Sequence, residues 1–329
     1  MTVSGLLRVF EALEPYQALI EDLEQGEIPA PLGLMRAARA PLLAALERDL
    51  GRPLLVVTGT VGRARKLVQA LTDWSAPAMS VLRFPEPLSL FYDRAPWTGE
   101  IIIGRLRVLS ALHDRHESGH QGPPLIVVAS ARALMQRTLP HHQYRLSVRE
   151  IRLGQIVDLE RTMRRLAGLG FEPVSVVERA GQFSHRGGIV DIFPPADDLP
   201  VRIELWGNQI DSIRRFDPAT QRSKERVESV TVTPAREALP RHGPRVAPRV
   251  AEMLERDLPD DLSEELEEHY RGLDHAAPFP GLEFYLPMFY SRPATLLDYL
   301  PPDGVVAVDD RWELADAWAE LEEEALDLR

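Results

Sequence analysis

The sequence contains no cysteine, no long hydrophobic run and no excess of basic residues. Because the chain has no thiol, it forms no disulfide, no thiolate zinc site and no iron–sulfur cluster, and it has no cysteine nucleophile. We also expect no bound metal. Because no apolar stretch reaches the roughly 18 residues of a membrane-spanning helix, we expect a soluble, cytoplasmic chain that contacts no membrane. A net charge of −12 argues against binding nucleic acid with the whole surface.

The charge is nevertheless unevenly distributed along the chain. Residues 130–189 contain ten arginines and five acidic residues, so the middle of an acidic chain is locally basic. Two interpretations remain open for this segment. The arginines form a solvated helix face, or Arg161, Arg164 and Arg165 contact the phosphates of a nucleic acid.

The first third of the chain has the pattern of an α/β domain. A length of 329 residues favours two or three domains at about 150 residues each. Continuous apolar runs alternate with helical periodicity, which predicts a parallel sheet covered by helices, and a similar run near the end of the chain completes this sheet as a buried strand. We expect strands at 53–58, 79–84, 125–129 and 304–309 and helices at 63–72 and 101–113.

Short strands with turn signals occupy the middle of the chain. Gly207-Asn208 separates two of them and is typical of a tight hairpin. The pattern predicts a smaller α+β domain at 146–238, inserted into an α/β domain made of segments 1–145 and 239–329. Within the insert we expect a helix at 155–169 and strands at 173–178, 188–193, 201–206, 210–216 and 227–233.

A strand, a turn with Gly59 and Gly62, and a helix follow one another in the order of a phosphate-binding loop. The P-loop motif needs a lysine to reach the phosphates and then a serine or threonine to hold Mg²⁺. When Gly62 takes the second glycine position, Arg63 and Ala64 take these two places. Alanine has no oxygen with which to bind a metal.

The acidic pair that should complete such a site is Asp309-Asp310, which follows the strand near the end of the chain. A hydrolytic site of this type needs glutamate in the second position to activate water, and aspartate occupies it here. The sequence therefore predicts a degenerate nucleotide site with no catalytic residue and no cofactor. An ordinary strand-turn-helix connection is the alternative.

One face of the strand at 201–206 has an unusual composition for a solvent face. Strand alternation places Arg202, Glu204 and Trp206 together, opposite a core face. Tryptophan and arginine are enriched at binding hot spots. Arg186 precedes Gly187-Gly188, which permit a bulge that brings it to the same face. Two interpretations remain open: a binding surface, or a tryptophan that covers a core edge beside an Arg202–Glu204 pair.

Three stretches of the sequence resemble the N-terminal region of the bacterial transcription-repair coupling factors, the Mfd family. They are 186–194 (RGGIVDIFP), 201–206 (VRIELW) and 210–223 (IDSIRRFDPATQRS). The resemblance extends to residues 58–59, 63–64, 134–137 and 295–302 and so spans most of the chain. This region of the family is in turn similar to the excision-repair protein UvrB.

The resemblance implies a UvrB-like fold and a binding function. The fold is a degenerate P-loop, helicase-like α/β domain formed from two chain segments, with the smaller α+β domain inserted. The insert is expected to bind UvrA and so recruit nucleotide excision repair to stalled RNA polymerase. The family's UvrA-contacting arginines and aromatic residue fall on Arg186, Arg202 and Trp206, beside Glu204. Trp206 departs from the phenylalanine that is common in the family.

The resemblance also implies that this chain is one part of a longer protein. The ATP-dependent DNA translocase motor and the RNA-polymerase-binding domain are expected further along a full-length member, so contacts with DNA and RNA polymerase belong to those parts. The alternative function is a UvrB-type, ATP-dependent subunit that verifies DNA damage. That function needs an intact lysine and hydroxyl pair, which Arg63-Ala64 does not provide.

Overall fold

The computed structural model describes residues 4–87, 95–119, 122–256, 258–292 and 294–327. Helices and strands are numbered in chain order. The helices are α1 (Glu14–Glu24), α2 (Arg36–Leu50), α3 (Val61–Trp74), α4 (Gly99–Ser118), α5 (Ala131–Met135), α6 (His141–Ser147), α7 (Leu159–Gly168), α8 (Gly243–Leu254), α9 (Asp260–Asp274), α10 (Leu286–Phe289) and α11 (Arg311–Leu326). The strands are β1 (Leu54–Thr58), β2 (Ser80–Phe84), β3 (Leu125–Ser130), β4 (Arg149–Arg152), β5 (Glu172–Pro173), β6 (Gln182–Arg186), β7 (Ile189–Ile192), β8 (Val201–Trp206), β9 (Gln209–Phe216), β10 (Ser223–Arg226), β11 (Ser229–Val232) and β12 (Val305–Val308).

The chain divides into two compact units. The first contains residues 1–86, 111–136 and 296–329, and the second contains residues 87–110 and 137–295. The boundaries predicted from the sequence differ from this division, because residues 87–110, 137–145 and 239–295, which the prediction assigns to the α/β domain, lie in the second unit. For the last of these segments the reason is a hydrophobic cluster in which α8, α9 and residues 279–290 pack together with Ala238.

The first unit is built on a four-stranded parallel sheet in the order β12-β1-β3-β2. Every residue of β1 and β3 is buried, as their continuous apolar sequences predict. Helices α2 and α3 bury apolar side chains against this sheet. The predicted α/β class with a parallel sheet is confirmed.

Strand β12 completes the parallel sheet, as predicted, and lies beside β1. The prediction that it is fully buried is wrong, because β12 is an edge strand. Val306 and Val308 are each 47% exposed. An apolar run alone does not distinguish a central strand from an edge strand.

The second unit contains a six-stranded sheet in the order β10-β9-β8-β7-β6-β5. Neighbouring strands are antiparallel except for the short pair of β5 and β6. The strand predicted at 227–233 exists as β11, but it pairs with β4 in a separate two-stranded sheet. The strand predicted at 173–178 is reduced to Glu172–Pro173.

Helix α7 is shorter at its beginning than the sequence predicts. It starts at Leu159 because the side chain of Asp158 caps it, with Oδ1 accepting from the backbone N–H of Arg161 at 2.9 Å. Ile156, which lies within the helix predicted at 155–169, is exposed and forms a bridge to Gln209 instead.

A buried ion pair crosses the second unit. Arg105 on α4 and Glu237 have side chains that are 0% and 1% exposed. The Nη2 atom of Arg105 donates to Glu237 Oε2 at 3.1 Å and to the carbonyl oxygen of Arg137 at 3.1 Å, while Nε donates to Oε1. Thr138 donates its hydroxyl to the same carboxylate, and the Arg105 guanidinium lies 4.8 Å from the ring centre of Trp97. One network therefore joins the side chains of Arg105, Glu237, Thr138 and Trp97.

His242 in the second unit makes stability depend on pH. Burial lowers the pKa of His242 to about 4, and the positive charges of Arg241 and Arg245 contribute in the same direction. Between pH 6.5 and 4 the unfolded chain therefore binds a proton at this residue that the folded chain does not. Stability is greatest above this window and falls as the pH is lowered through it.

We expect His242→Gln to weaken this pH dependence, since glutamine does not titrate. Urea unfolding of both proteins at intervals from pH 7 to pH 4 measures the effect as the change in free energy of unfolding. The variant should lose less stability than the original chain across the window. Parallel curves for the two proteins would show that His242 titrates at its ordinary pKa.

Candidate functional site

Arg186 and Glu204 lie on one face of the six-stranded sheet. Arg186 on β6 is opposite Ile189 on β7, Ile189 is opposite Glu204 on β8, and Glu204 is opposite Ser212 on β9. Residues directly opposite in an antiparallel pair share a face. We call the surface formed by Arg186, Ile189, Arg202, Glu204 and Trp206 the strand face.

The turn between β6 and β7 needs both of its glycines. Gly187 has a φ of 61°, which favours glycine. A Cβ on Gly188 would lie 3.0 Å from the carbonyl oxygen of Leu205, so the two strands approach closely there. The pair of glycines thus holds Arg186 at the end of β6, where it is exposed and has no ion-pair partner within the described ranges.

Arg202 is held by a neighbour on β7. Its Nε and Nη2 atoms donate to Asp191 Oδ1 and Oδ2, each at 2.8 Å, which is a bidentate pair. The guanidinium carbon lies 4.7 Å from the ring centre of the buried Phe216. The interpretation that Arg202 pairs with Glu204 is wrong, because register places Asp191 directly opposite Arg202.

Glu204 is paired with β9 instead. Its Oε2 atom accepts from the Ser212 hydroxyl at 2.6 Å and lies 3.3 Å from Nη2 of Arg214. Each charged residue of β8 is therefore held by an adjacent strand, Arg202 by Asp191 on β7 and Glu204 by Ser212 and Arg214 on β9.

A loop residue completes the support of Arg202. Gln221 has a φ of 58°, and its Oε1 atom accepts from Arg202 Nη2 at 3.4 Å. Its Nε2 atom donates to the carbonyl oxygens of Val177 and Pro218 at 3.1 and 2.7 Å. The hydrogen bonds with Asp191 raise the pKa of Arg202. The site thus presents a permanently charged, oriented guanidinium whose side chain is 24% exposed.

Trp206 lies at the end of β8 and is 82% exposed. It is opposite Gln209, next to the hairpin turn in which Gly207 has a φ of 64°. This exposure contradicts the interpretation that the tryptophan covers a core edge. Asp211 is an extra residue on β9 beside it, because Glu204 pairs with Ser212 and Leu205 with Ile210.

The strand face therefore combines three exposed residues, Arg186, Ile189 and Trp206, with the anchored Arg202. Trp206 and Ile189, which is 38% exposed, provide apolar surface, and Arg186 and Arg202 provide positive charge. Asp191, Gln221 and Ile189 were not among the residues expected from the sequence. The binding roles of Arg186, Arg202, Glu204 and Trp206 remain predictions.

The loop that resembles a phosphate-binding loop is packed against the start of α11. A Cβ on Gly59 would lie 2.5 Å from the carbonyl oxygen of Glu313, so this glycine permits the close contact. Thr60 caps α3, with its hydroxyl accepting from the backbone N–H of Arg63 at 3.2 Å. Gly62 and the buried Ala64 follow in the first turn of the helix.

Arg63 extends from this turn to Asp309, at the end of β12. Its Nε and Nη2 atoms donate to Oδ2 and Oδ1 at 2.5 and 2.8 Å. Arg39 adds contacts to the Asp309 carbonyl oxygen at 2.7 Å and to Oδ1 at 3.3 Å. Burial opposes ionisation of Asp309, but the hydrogen bonds and charges of the two arginines outweigh it and lower its pKa.

Asp310 is also engaged. Its Oδ1 atom accepts from the backbone N–H groups of Trp312 and Glu313 at 3.1 and 3.3 Å and so caps α11. Beside these residues lies an open groove of about 430 Å³ lined by Arg36, Thr60, Gly62, Arg63, Lys66, Glu313, Asp316, Ala317 and Glu320. The groove is lined by as many carboxylates as cations, which does not favour a polyanionic nucleotide.

The comparisons with known proteins agree with the resemblance. Residues 150–237, which contain the whole strand face, match the UvrB interaction domain. The chain is 33% identical over 322 residues to the transcription-repair-coupling factor of Myxococcus xanthus, covering 94% of this chain and 26% of that protein. The factor of Bacillus subtilis (strain 168) is 29% identical over 324 residues, covering 94% and 27% of the two chains.

A further relative is the transcription-repair-coupling factor of Staphylococcus aureus (strain Mu50 / ATCC 700699), 28% identical over 291 residues, which cover 84% of this chain and 24% of that protein. The resemblance inferred from the sequence is confirmed. The chain spans about a quarter of the length of these relatives. Within the residues that the structure describes, no helix is long and apolar enough to cross a membrane.

Proposed function

We propose that this chain, which is similar over most of its length to transcription-repair-coupling factors, binds UvrA through its strand face. The observation that carries the proposal is the match of residues 150–237 to the UvrB interaction domain, since that segment contains Arg186, Ile189, Arg202, Glu204 and Trp206. Through this contact the chain recruits nucleotide excision repair to a stalled RNA polymerase.

The geometry of the strand face supports binding of a protein. Hot spots of protein interfaces are enriched in tryptophan and arginine. Trp206 is 82% exposed and so offers a large apolar surface for burial against a partner. Arg202 is already fixed by Asp191, so binding restricts little additional side-chain motion. The direct test is to measure UvrA affinity after single substitutions at these positions.

The contacts with RNA polymerase, and the DNA contacts of the translocase motor, are proposed for parts of the full-length protein outside this chain. This proposal is supported by the length of the relatives, which are about four times as long as the segment they share with this chain. The ATP-dependent translocase activity is proposed for those other parts as well.

We further propose that the phosphate-loop region of this chain is degenerate and does not hydrolyse ATP. Three observations support this. Arg63 replaces the lysine and is bound to Asp309. Ala64 replaces the hydroxyl residue and is buried. The carboxylate of Asp310 caps α11 and is therefore already engaged.

We therefore expect the chain to show no saturable binding of Mg-ATP at micromolar concentrations. Isothermal titration of the chain with Mg-ATP, with Mg-ADP as a second ligand, measures this directly. A dissociation constant in the micromolar range, together with hydrolysis, would contradict the proposal and favour the UvrB-type function. The result is independent of UvrA binding, which involves the other unit.

A further inference from the structure

Four arginines from separate segments of the second unit converge on one surface. Arg161 and Arg165 are one turn apart on the same side of α7. The end of α7 packs against the 240–242 turn, where a Cβ on Gly168 would lie 3.2 Å from Cβ of Arg241. Arg241 donates from Nη2 to the Ser147 hydroxyl at 2.7 Å, two residues before Arg149. We call Arg149, Arg161, Arg165 and Arg241 the arginine cluster.

The arginine cluster has no neutralising carboxylates. In the described part of the chain, no Asp or Glu lies within ion-pair distance of any of the four guanidinium groups. Nearby arginines do have such partners: Arg164 pairs with Glu160, and Arg152 pairs with Glu150. The chain has 50 acidic residues against 38 basic ones, so unpaired cations are not a consequence of composition.

The four charges act on one another. Burial lowers the pKa of Arg165, and the charges of the other three arginines lower it further. Burial lowers the pKa of Arg241; Tyr290 opposes this change, and the charge of Arg149 adds to it. Like charges held together destabilise the folded chain. Such repulsion is relieved when an anion with several negative charges binds.

We propose that the arginine cluster binds the sugar–phosphate backbone of duplex DNA. A duplex presents closely spaced phosphates along a rigid surface, and a guanidinium binds a phosphate with two parallel hydrogen bonds. Three of the four arginines, Arg149, Arg161 and Arg165, are exposed and so reach such a ligand without rearrangement.

The surrounding elements favour duplex over single-stranded nucleic acid. Recognition of single strands relies on aromatic side chains on which bases stack. Helix α7 and strand β4 contain no aromatic residue, and Tyr144 of α6 is fully buried. Contacts confined to phosphates carry no sequence information, so the binding is expected to be independent of DNA sequence. The arginine cluster and the strand face share no residue, and the two proposals are tested separately.

The experiment is fluorescence anisotropy of a labelled 20-base-pair duplex titrated with the chain at several salt concentrations. The test variant is the double substitution Arg161→Ala/Arg165→Ala. The matched control is Arg164→Ala, which removes a charge from the same helix but lies in a pair with Glu160. Circular dichroism of each variant checks that the helix is retained.

Loss of two phosphate contacts is expected to weaken binding at low salt by about tenfold or more, and to reduce the slope of log affinity against log salt by about 1.8, at about 0.9 per contact. Arg164→Ala should leave that slope unchanged. The proposal is overturned if the double variant and the control have the same affinity and slope, or if the chain shows no salt-dependent binding to the duplex. It is also overturned if polyglutamate competes as well as unlabelled duplex, because the surface would then fit an acidic protein.

Discussion

Glu237→Ala is expected to destabilise the chain by about 3–5 kcal/mol, the usual cost of removing one member of a buried ion pair. The Arg105 guanidinium would remain in the interior, since its side chain is 0% exposed and cannot reach water without unfolding the surroundings. Thr138 would lose the acceptor of its hydroxyl as well. The Arg137 carbonyl oxygen and the Trp97 ring also contact Arg105, but neither carries a negative charge that could replace the lost carboxylate.

The measurement is urea unfolding followed by circular dichroism, with Glu268→Ala as the matched control. Glu268 lies on the exposed side of α9 in the same unit, and its replacement should change the free energy of unfolding by no more than about 0.5 kcal/mol. Similar losses in the two variants would show that Arg105 and Glu237 do not form a buried pair.

A double substitution separates the charge from the packing. In Arg105→Met/Glu237→Leu both charges are removed and the volume is largely kept, so neither partner is left uncompensated. We expect this variant to lose less stability than Glu237→Ala alone. The single variants Arg105→Met and Glu237→Leu provide the comparison. If the double variant loses more free energy of unfolding than the two single variants lose together, shape rather than charge determines the cost.

The buried pair shows what the sequence could not provide. Arg105 and Glu237 are separated by 132 positions, and nothing local distinguishes either of them from a surface residue. The parallel strands, by contrast, were predictable because β1 and β3 are buried along their whole length and therefore have continuous apolar sequences. Local patterns identify an element, whereas its partners depend on tertiary packing.

The strand face was predictable to the same extent. Alternation correctly groups Arg202 with Glu204, and Gly207 correctly marks the hairpin. The interpretation that Arg202 pairs with Glu204 was wrong because the partner depends on the register between β7 and β8. That register places Asp191 opposite Arg202. A shift by one residue would turn the other face of β7 toward Arg202. Alternation within a single strand therefore predicts which side chains share a face but not which residues on other strands they contact.

The phosphate-loop region follows the same principle. The sequence shows Arg63 and Ala64 at the positions where a P-loop needs a lysine and a hydroxyl residue. The ion pair of Arg63 with Asp309 is not, because it joins residues 246 positions apart through the pairing of β1 with β12. The structure thus adds support for the proposed inactivity: Arg63 already has a carboxylate partner in Asp309.

Trp206→Ala and Arg202→Ala are each expected to weaken UvrA binding by about 2 kcal/mol or more, which is roughly thirtyfold in the dissociation constant. The tryptophan substitution removes the apolar surface that a partner would bury. The arginine substitution removes a charge that Asp191 holds in place. Arg186→Ala should act in the same direction, because Arg186 lies in the same cross-strand row as Glu204.

The measurement is surface plasmon resonance with purified UvrA, with each variant first checked for an unchanged melting temperature. Trp312→Ala removes another exposed tryptophan, from the first unit, and Arg226→Ala removes an exposed arginine from β10 of the same sheet. Both controls should retain the original affinity. Undiminished binding by Trp206→Ala and Arg202→Ala together would reject the strand face as the UvrA site.

Two further variants separate contact from positioning. Trp206→Phe keeps an aromatic ring, and it should retain most of the affinity if ring burial provides the binding energy. Asp191→Ala leaves the Arg202 charge but removes both hydrogen bonds that orient it. Its expected loss is smaller than that of Arg202→Ala and lies in the dissociation rate, because a mobile guanidinium pays its ordering cost in the complex. Equal losses in the two variants would instead mean that Asp191 contacts UvrA itself.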